Sequence, residues 1–260
     1  HRLVLDLPEF PSTRPGQFVQ LQCRYPTEQV GSREVEWTDG GIPRFTQPEL
    51  TDQEPLLRRP LSIAGVRTHS HGAVELDLIY RTVGTGTRWL SGVQPGDTLS
   101  VLGPLGNAFP IHESKPRAAL VGGGVGIPPM LYLAEALTAA GKTTVAFNGA
   151  RTANLFPLRL LPTGNVSTEG RPAHCVAEYA AHDVDAAVAT DDGSLGFPGL
   201  VSFAFEQWRA ESGDGSDVVV YCCGPEGMMR AIGDLCPARD AECPPSLERH
   251  MAPVMGTSQS

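Results

Sequence analysis

The 260-residue sequence has six cysteines but no Cys-x-x-Cys pair, which argues against a zinc finger or ribbon. It has no Gly-x-Ser-x-Gly elbow and no His-Glu-x-x-His, so nothing supports a hydrolase. Positive charge is scarce: 20 Lys and Arg stand against 29 Asp and Glu, a formal net charge of -9. Such a chain has no general attraction for nucleic acid or an anionic membrane surface. No run is apolar and long enough to read as a membrane span. The nearest candidate, residues 118–134, holds four glycines and two prolines and reads as a buried strand, a glycine loop and a helix. No internal repeat and no signal peptide are visible, so a reduced, cytoplasmic setting is expected. The sequence starts at His1 rather than Met, which leaves a preceding targeting segment open.

What is present points to a globular protein with sharp turns. Hydrophobic residues make up 41% and charged residues 19%, and there are 29 glycines and 23 prolines. Short apolar or alternating runs at residues 2–7, 17–23, 61–63, 73–80 and 98–102 are separated by turn signals such as Pro15-Gly16 and Pro95-Gly96-Asp97. One short helix is expected at residues 86–91. This pattern predicts an antiparallel β-barrel over residues 1–113. A polar, acidic stretch at residues 26–54 interrupts it as a surface insertion. From residue 114 to about 240 the texture changes. Strands at 118–121, 143–148, 173–177, 186–189 and 218–221 alternate with helices at 129–140, 200–209 and 225–235. That alternation predicts a parallel-sheet α/β domain. Residues 241–260 form a tail.

Five motifs carry candidate chemistry. Gly122-Gly123-Gly124-Val125-Gly126 follows a strand and opens a helix, as a loop that cradles a pyrophosphate does. The strict Gly-x-Gly-x-x-Gly spacing fails because Ile127 takes the last glycine's place, so a tight packing turn is equally open. Cys223-Gly224-Pro225 ends another strand, where ligands of open α/β sheets bind; a small core cysteine is the plain alternative. Arg58-Arg59-Pro60-Leu61-Ser62 leads two arginines into an apolar strand and reads as a phosphate clamp or as solvated arginines. Gly84-Thr85-Gly86-Thr87 reads as a second phosphate nest. Gly103-Pro104-Leu105-Gly106-Asn107 reads as a sharp turn closing the β domain. His69, His71 and the Asp191-Asp192-Gly193 turn are assigned no metal.

In this order, together with Pro15-Gly16-Gln17-Phe18-Val19, the motifs resemble the ferredoxin–NADP reductase superfamily. The closer resemblance is to the electron transfer subunits of class 1B dihydroorotate dehydrogenases. It rests on Arg58 to Ile63, Gly84 to Arg88, Gly103 to Asn107, Asp191 to Gly196 and Ser246 to Met251, and spans most of the chain outside residues 26–54. The resemblance implies a flavin-binding barrel followed by a nicotinamide dinucleotide domain. Arg59 and Pro60 match the segment at the FAD pyrophosphate, Leu61 a residue flanking the flavin, and Ser62 the hydroxyl near its N5. Gly84, Gly86 and Thr87 match a second phosphate-side loop, and Gly123, Gly124 and Gly126 the NAD(H) phosphate loop. Cys223, Gly224 and Pro225 match the segment beside the nicotinamide, so Cys223 and Ser62 are the expected catalytic pair. The implied activity is oxidation of NADH with electrons passed to a catalytic dihydroorotate dehydrogenase subunit, within a heterotetramer of the pyrimidine pathway. A stand-alone NAD(P)H-dependent flavin oxidoreductase and a non-catalytic FAD-binding regulatory subunit remain as alternatives.

The tail departs from the resemblance, which implies a cysteine-bound [2Fe-2S] centre after Met251. Here Pro253 and Ser258 stand at the first two ligand places. Proline has no donor, and serine offers hard oxygen where thiolate sulfur is needed. A cluster is therefore not expected. Arg151, after the second nucleotide strand, leaves NADH or NADPH open from the residues alone; the resemblance favours NADH.

Overall fold

A computed structural model describes residues 1–24, 57–212 and 216–236, with the backbone of residues 35–36, 44–45 and 241–242. The first sheet is antiparallel and built from β1 (Arg2–Leu7), β2 (Phe18–Leu21), β5 (Arg59–Thr68), β6 (Val74–Ile79) and β7 (Val101–Leu105). Its order is β1-β6-β5-β2-β7. Two short strands, β3 (Val35–Glu36) and β4 (Arg44–Phe45), pair with each other inside the insertion. The rest of the insertion, and the tail beyond residue 242, lie outside the described residues. Among the described residues no ladder joins β1 to β7. Curvature comes from irregularities opposite Ile63/Gly65 in β5 and Phe18/Gln20 in β2, which bend a sheet at single residues. The core inside this wall gathers Val19, Leu21, Leu61, Ile63, Leu76, Leu78 and the helix residue Leu90. These lie at alternate strand positions, as a half-buried sheet requires.

The second sheet is parallel, with β8 (Arg117–Gly123), β9 (Thr143–Ala150), β10 (Asp185–Thr190), β11 (Phe197–Pro198), β12 (Val218–Cys223) and β13 (Ala241–Glu242). The order β11-β10-β9-β8-β12-β13 means that the chain runs outward from β8 and then returns to β8's other side. Helices α2 (Ile127–Ala139), α4 (Val201–Glu211) and α5 (Glu226–Leu235) supply the crossovers, while α1 (Thr85–Leu90) and α3 (Ala177–Ala180) are short. Adjacent side chains of one strand sort to opposite faces: Cys222 packs with Val121, Phe147 and Phe205, while Cys223 packs with Leu120, Met130 and Tyr221. Among the described residues no helix is long and apolar enough to cross a membrane.

Three local expectations are corrected. Residues 173–177 are not a sheet strand; Ala173 makes one antiparallel bridge to Ala186, and the segment turns into α3. Residues 98–102 slide to Val101–Leu105, so Gly103 to Leu105 are strand and the turn falls at Gly106, with φ of 81°. Gly103 is needed there because a Cβ would sit 2.9 Å from Val19 Cγ1. Residues 225–235 start their helix at Glu226, with Pro225 as the cap.

The two sheets share a core. Ala64, Ile79 and Phe109 of the first half pack in one cluster with Ile127, Met130 and Leu131 of α2. The helix lies across β5.

Candidate functional site

The return of the chain between β8 and β12 creates a switch point, the place where open α/β sheets leave a crevice at their carboxyl ends. Both nucleotide-side motifs end there. Cys223 pairs in register with Gly122, and Gly123 with Gly149. The glycines are required by contact. A Cβ on Gly126 would lie 2.0 Å from the Cys223 carbonyl oxygen, and one on Gly123 would lie 2.5 Å from Met228 Sδ. Gly224, with φ of 154°, is pressed against Gly123 and Met228 Cε. Gly124 is different: its φ is 53°, and nothing lies within 4 Å of where its Cβ would be. Gly124 and Val125 face solvent, while Gly123, Gly126, Cys223 and Gly224 are buried and Pro225 is exposed. The loop thus has a buried hinge and an open lip. Met228, which lies under both glycine segments, has no role assigned by the sequence motif.

One detail alters the expected source of donors. Pro128 and Pro129 occupy the second and third positions of α2, and the Ile127 N–H is turned to the Gly124 carbonyl. Prolines suit a helix start because its first amides lack partners, but they present no N–H to an anion. That leaves the loop amides, with the helix dipole behind them, as the N–H groups at this helix start.

At the start of β5 the two arginines, Arg58 just before the strand and Arg59 its first residue, separate. Arg58 donates to the Gln20 and Ser100 carbonyls at 3.3 and 3.0 Å, and to Gln22 Oε1 and Ser100 Oγ at 3.3 and 2.8 Å. It ties β5 to its neighbours. Arg59 donates to the Leu57 and Arg58 carbonyls through Nη1 alone, at 2.7 and 3.4 Å, and makes no ion pair among the described residues. Its side chain runs over Gly86, where a Cβ would be 2.6 Å from Arg59 Nε. The clamp and the second loop are therefore brought together. Beside Arg59 the Cys23 thiol is pushed up by burial, against the opposing pull of that guanidinium.

Thr87 does not offer its hydroxyl outward. It accepts from the Val83 and Gly84 amides at 2.9 and 3.1 Å and faces the Gly84 carbonyl at 3.2 Å, so it caps α1. Gly84 is extended, and nothing crowds it. Ser62 is 5% exposed, and its Oγ is buried with no hydrogen-bond partner. A buried hydroxyl left unpaired costs about 1–3 kcal/mol, so this atom awaits a polar partner. Strand alternation places Pro60 and Ser62 on the face that carries Ala64 toward α2, whereas Leu61 packs into the barrel core with Val19 and Ile63. The Leu61 side chain is committed to that core and does not stand as an outward flank. Asp192 is held below the usual carboxylate range by the Ser194 hydroxyl and amide, and Ser194 Oγ in turn accepts from the Ala153 amide at 2.8 Å. This turn ties two loops at the sheet's rim. Among the described residues no group of three or more His, Cys, Asp and Glu side chains is placed to hold a metal.

An antiparallel flavin-type wall joined to a parallel nucleotide sheet is the architecture of two-domain nicotinamide–flavin reductases. The chain superposes on the NADH-dependent reduced ferredoxin-NADP oxidoreductase with a TM-score of 0.55 at 25% identity, covering 88% of this chain and 68% of that one. It superposes on phthalate dioxygenase reductase with a TM-score of 0.52 at 18% identity, covering 93% and 62%. The oxidoreductase NAD-binding domain family matches residues 120–234. The dihydroorotate dehydrogenase B (NAD(+)) electron transfer subunit of Bacillus caldolyticus is 39% identical over 205 residues, 78% of this chain and 69% of the relative. That of Desulforamulus reducens is 31% identical over 249 residues, 95% and 75%. The chain belongs to the family of dihydroorotate dehydrogenase B electron transfer subunits, and it is an oxidoreductase.

Proposed function

We propose that this chain binds FAD on its first sheet and NADH at the β8–β12 switch point. In this reading it oxidises NADH and passes the electrons to a catalytic dihydroorotate dehydrogenase subunit. The observation that carries the reading is the pairing on β5 of a buried hydroxyl, Ser62 Oγ, with an arginine, Arg59, neither of which has a side-chain partner among the described residues. These are the two groups a flavin dinucleotide needs: a polar contact for the ring edge and a cation for the pyrophosphate. When bound, FAD supplies the hydride-accepting chemistry.

The chain's own residues do the rest. Arg59, braced over Gly86, holds phosphate charge. Ser62 meets the flavin ring. The open lip at Gly124 and Val125 admits the NADH pyrophosphate. Cys223, Gly224 and Pro225 form the wall beside the nicotinamide, and the absence of a side chain at Gly224 lets that wall close against Gly123 and Met228 of the glycine loop and α5. NADH rather than NADPH is favoured by the relatives' description as NAD(+) proteins. The donor set does not fit an iron–sulfur centre: the described cysteines are dispersed, with Cys23 in the barrel core and Cys222 and Cys223 on opposite faces of the parallel sheet. No electron step is therefore routed through a cluster.

The test is an absorption spectrum of the purified chain before and after anaerobic NADH. Flavin bands that bleach on addition support the reading, and a colourless chain that retains no added FAD overturns it. Co-purification with a second, FMN-containing chain distinguishes the two-subunit enzyme from a stand-alone reductase.

A further inference from the structure

One part-buried contact between the two halves has no role in the reading above. Tyr132 belongs to α2, six residues beyond Gly126, and so about 9 Å along the axis from the glycine loop. Yet its side chain packs against the core of the other sheet, the cluster of Val19, Leu21, Ile63, Leu76 and Leu78. Its hydroxyl lies 2.9 Å from the Thr13 carbonyl and 2.9 Å from Thr13 Oγ1. One phenol carries one proton, so Tyr132 donates to the carbonyl and accepts from the threonine hydroxyl. Burial pushes the phenol's ionisation up, which keeps that proton in place. Thr13 lies in the connection between β1 and β2, and that connection continues through Pro15 and Gly16 into the strand paired with Ser62. The reciprocal pair therefore links the helix that starts at the nicotinamide loop to the segment that enters the flavin wall.

We propose that Tyr132 is a positioning residue: locked on Thr13, it sets the separation between the glycine loop and β5, and with it the nicotinamide-to-flavin distance. The inference rests on the functional reading above. Transfer between two bound rings is steeply sensitive to placement, and a misplacement of about 1 Å costs on the order of a hundredfold. Other contacts keep the halves together when this one is lost. Tyr221 donates to the Pro110 carbonyl at 2.8 Å and meets Phe109 edge-to-face, and Arg2 pairs with Glu178 at 3.3 Å. A variant at Tyr132 thus retains its fold and loses only precision.

The experiment uses the full chain loaded with FAD, comparing wild type with Tyr132→Phe, Thr13→Val, the double variant and Thr13→Ser. Stopped-flow bleaching against NADH concentration separates the limiting rate from the dissociation constant, and amide exchange over residues 9–17 is followed without cofactor. The limiting rate should fall about tenfold in Tyr132→Phe, which loses both bonds, less in Thr13→Val, which keeps the bond to the Thr13 carbonyl, and no further in the double variant than in Tyr132→Phe, with NADH affinity within about two-fold. Thr13→Ser, which keeps both bonds, should behave as wild type, and exchange should rise in the other variants. Unchanged limiting rates with raised exchange would show a merely structural bond and overturn the proposal, as would a loss confined to NADH affinity. A wild-type chain that NADH cannot bleach overturns the functional reading and this inference together. A bleached wild type with unaltered variants overturns this inference alone.

Discussion

At the residue scale, two neighbouring arginines show how little a charge says until its partners are known. Arg58 spends its guanidinium on four hydrogen-bond partners within the wall, whereas Arg59 leaves most of its donors uncommitted above Gly86. Arg59→Ala should weaken FAD retention about tenfold or more, since a charge-assisted bond contributes about 1.5–3 kcal/mol. Arg58→Ala should lower the melting temperature first. Equilibrium FAD titration of both proteins checks this, and equal FAD loss would erase the distinction. Ser62 offers a sharper sign. Its buried hydroxyl is unpaired in the cofactor-free fold, so Ser62→Ala should stabilise that fold by about 1 kcal/mol, a rise of roughly 2–4 °C. The same change should reduce FAD affinity or slow its reduction. Opposite signs in thermal melting and flavin binding mark a group kept for a ligand; loss of stability without FAD would mean that the hydroxyl has a partner within the protein.

At the scale of elements, the switch point works because β8 and β12 end against each other without side chains between them. Gly126→Ala would thrust a methyl to 2.0 Å from the Cys223 carbonyl, which is backbone and cannot swing away. The glycine loop and the 223–225 turn must then part. NADH should fail to bleach the flavin at the normal rate, while FAD binding, which we propose for the other sheet, should survive. Gly124→Ala is the contrasting variant. Its Cβ enters open space, and the left-handed backbone costs about 1–2 kcal/mol. Stopped-flow rates and FAD titration of the pair test whether contact or conformation governs the loop; normal NADH reduction in Gly126→Ala would reduce the loop to ordinary packing.

At the scale of the whole molecule, the two sheets share a hydrophobic core. Phe109 and Ala64 share a cluster with α2, and Tyr132 reaches the opposite core. What the molecule lacks among its described residues is a place where thiolates converge. Because Pro253 and Ser258 stand where the family's first two thiolates would be, the purified chain should contain no stoichiometric iron or labile sulfide, and its spectrum should be that of flavin alone. Chemical analysis is the check. About two irons and two sulfides per chain would mean a [2Fe-2S] centre, and Cys236 and Cys243 would then be the first ligands to examine.

The amino-acid sequence by itself determined the order of the two sheets, the glycine loop after β8 and the Cys-Gly-Pro turn after β12. These are local signals: alternation, glycine crowding and strand-to-helix boundaries each lie within a dozen residues. It also determined that Cys222 and Cys223 point apart, because a strand allows nothing else. Only the tertiary structure decided that Arg58 is structural and Arg59 available, since the partners that occupy Arg58 come from the β2 segment and the approach to β7. It turned Leu61 into the barrel core, because pairing register and the irregularity after Ile63 set which face each β5 side chain takes. It turned Thr87 into a cap, because the Val83 and Gly84 amides both donate to its hydroxyl. And it joined Tyr132 to Thr13 and Tyr221 to Pro110, over 119 and 111 residues of chain. No periodicity announces contacts of that range; they exist once both cores have packed and each buried hydroxyl must find an acceptor.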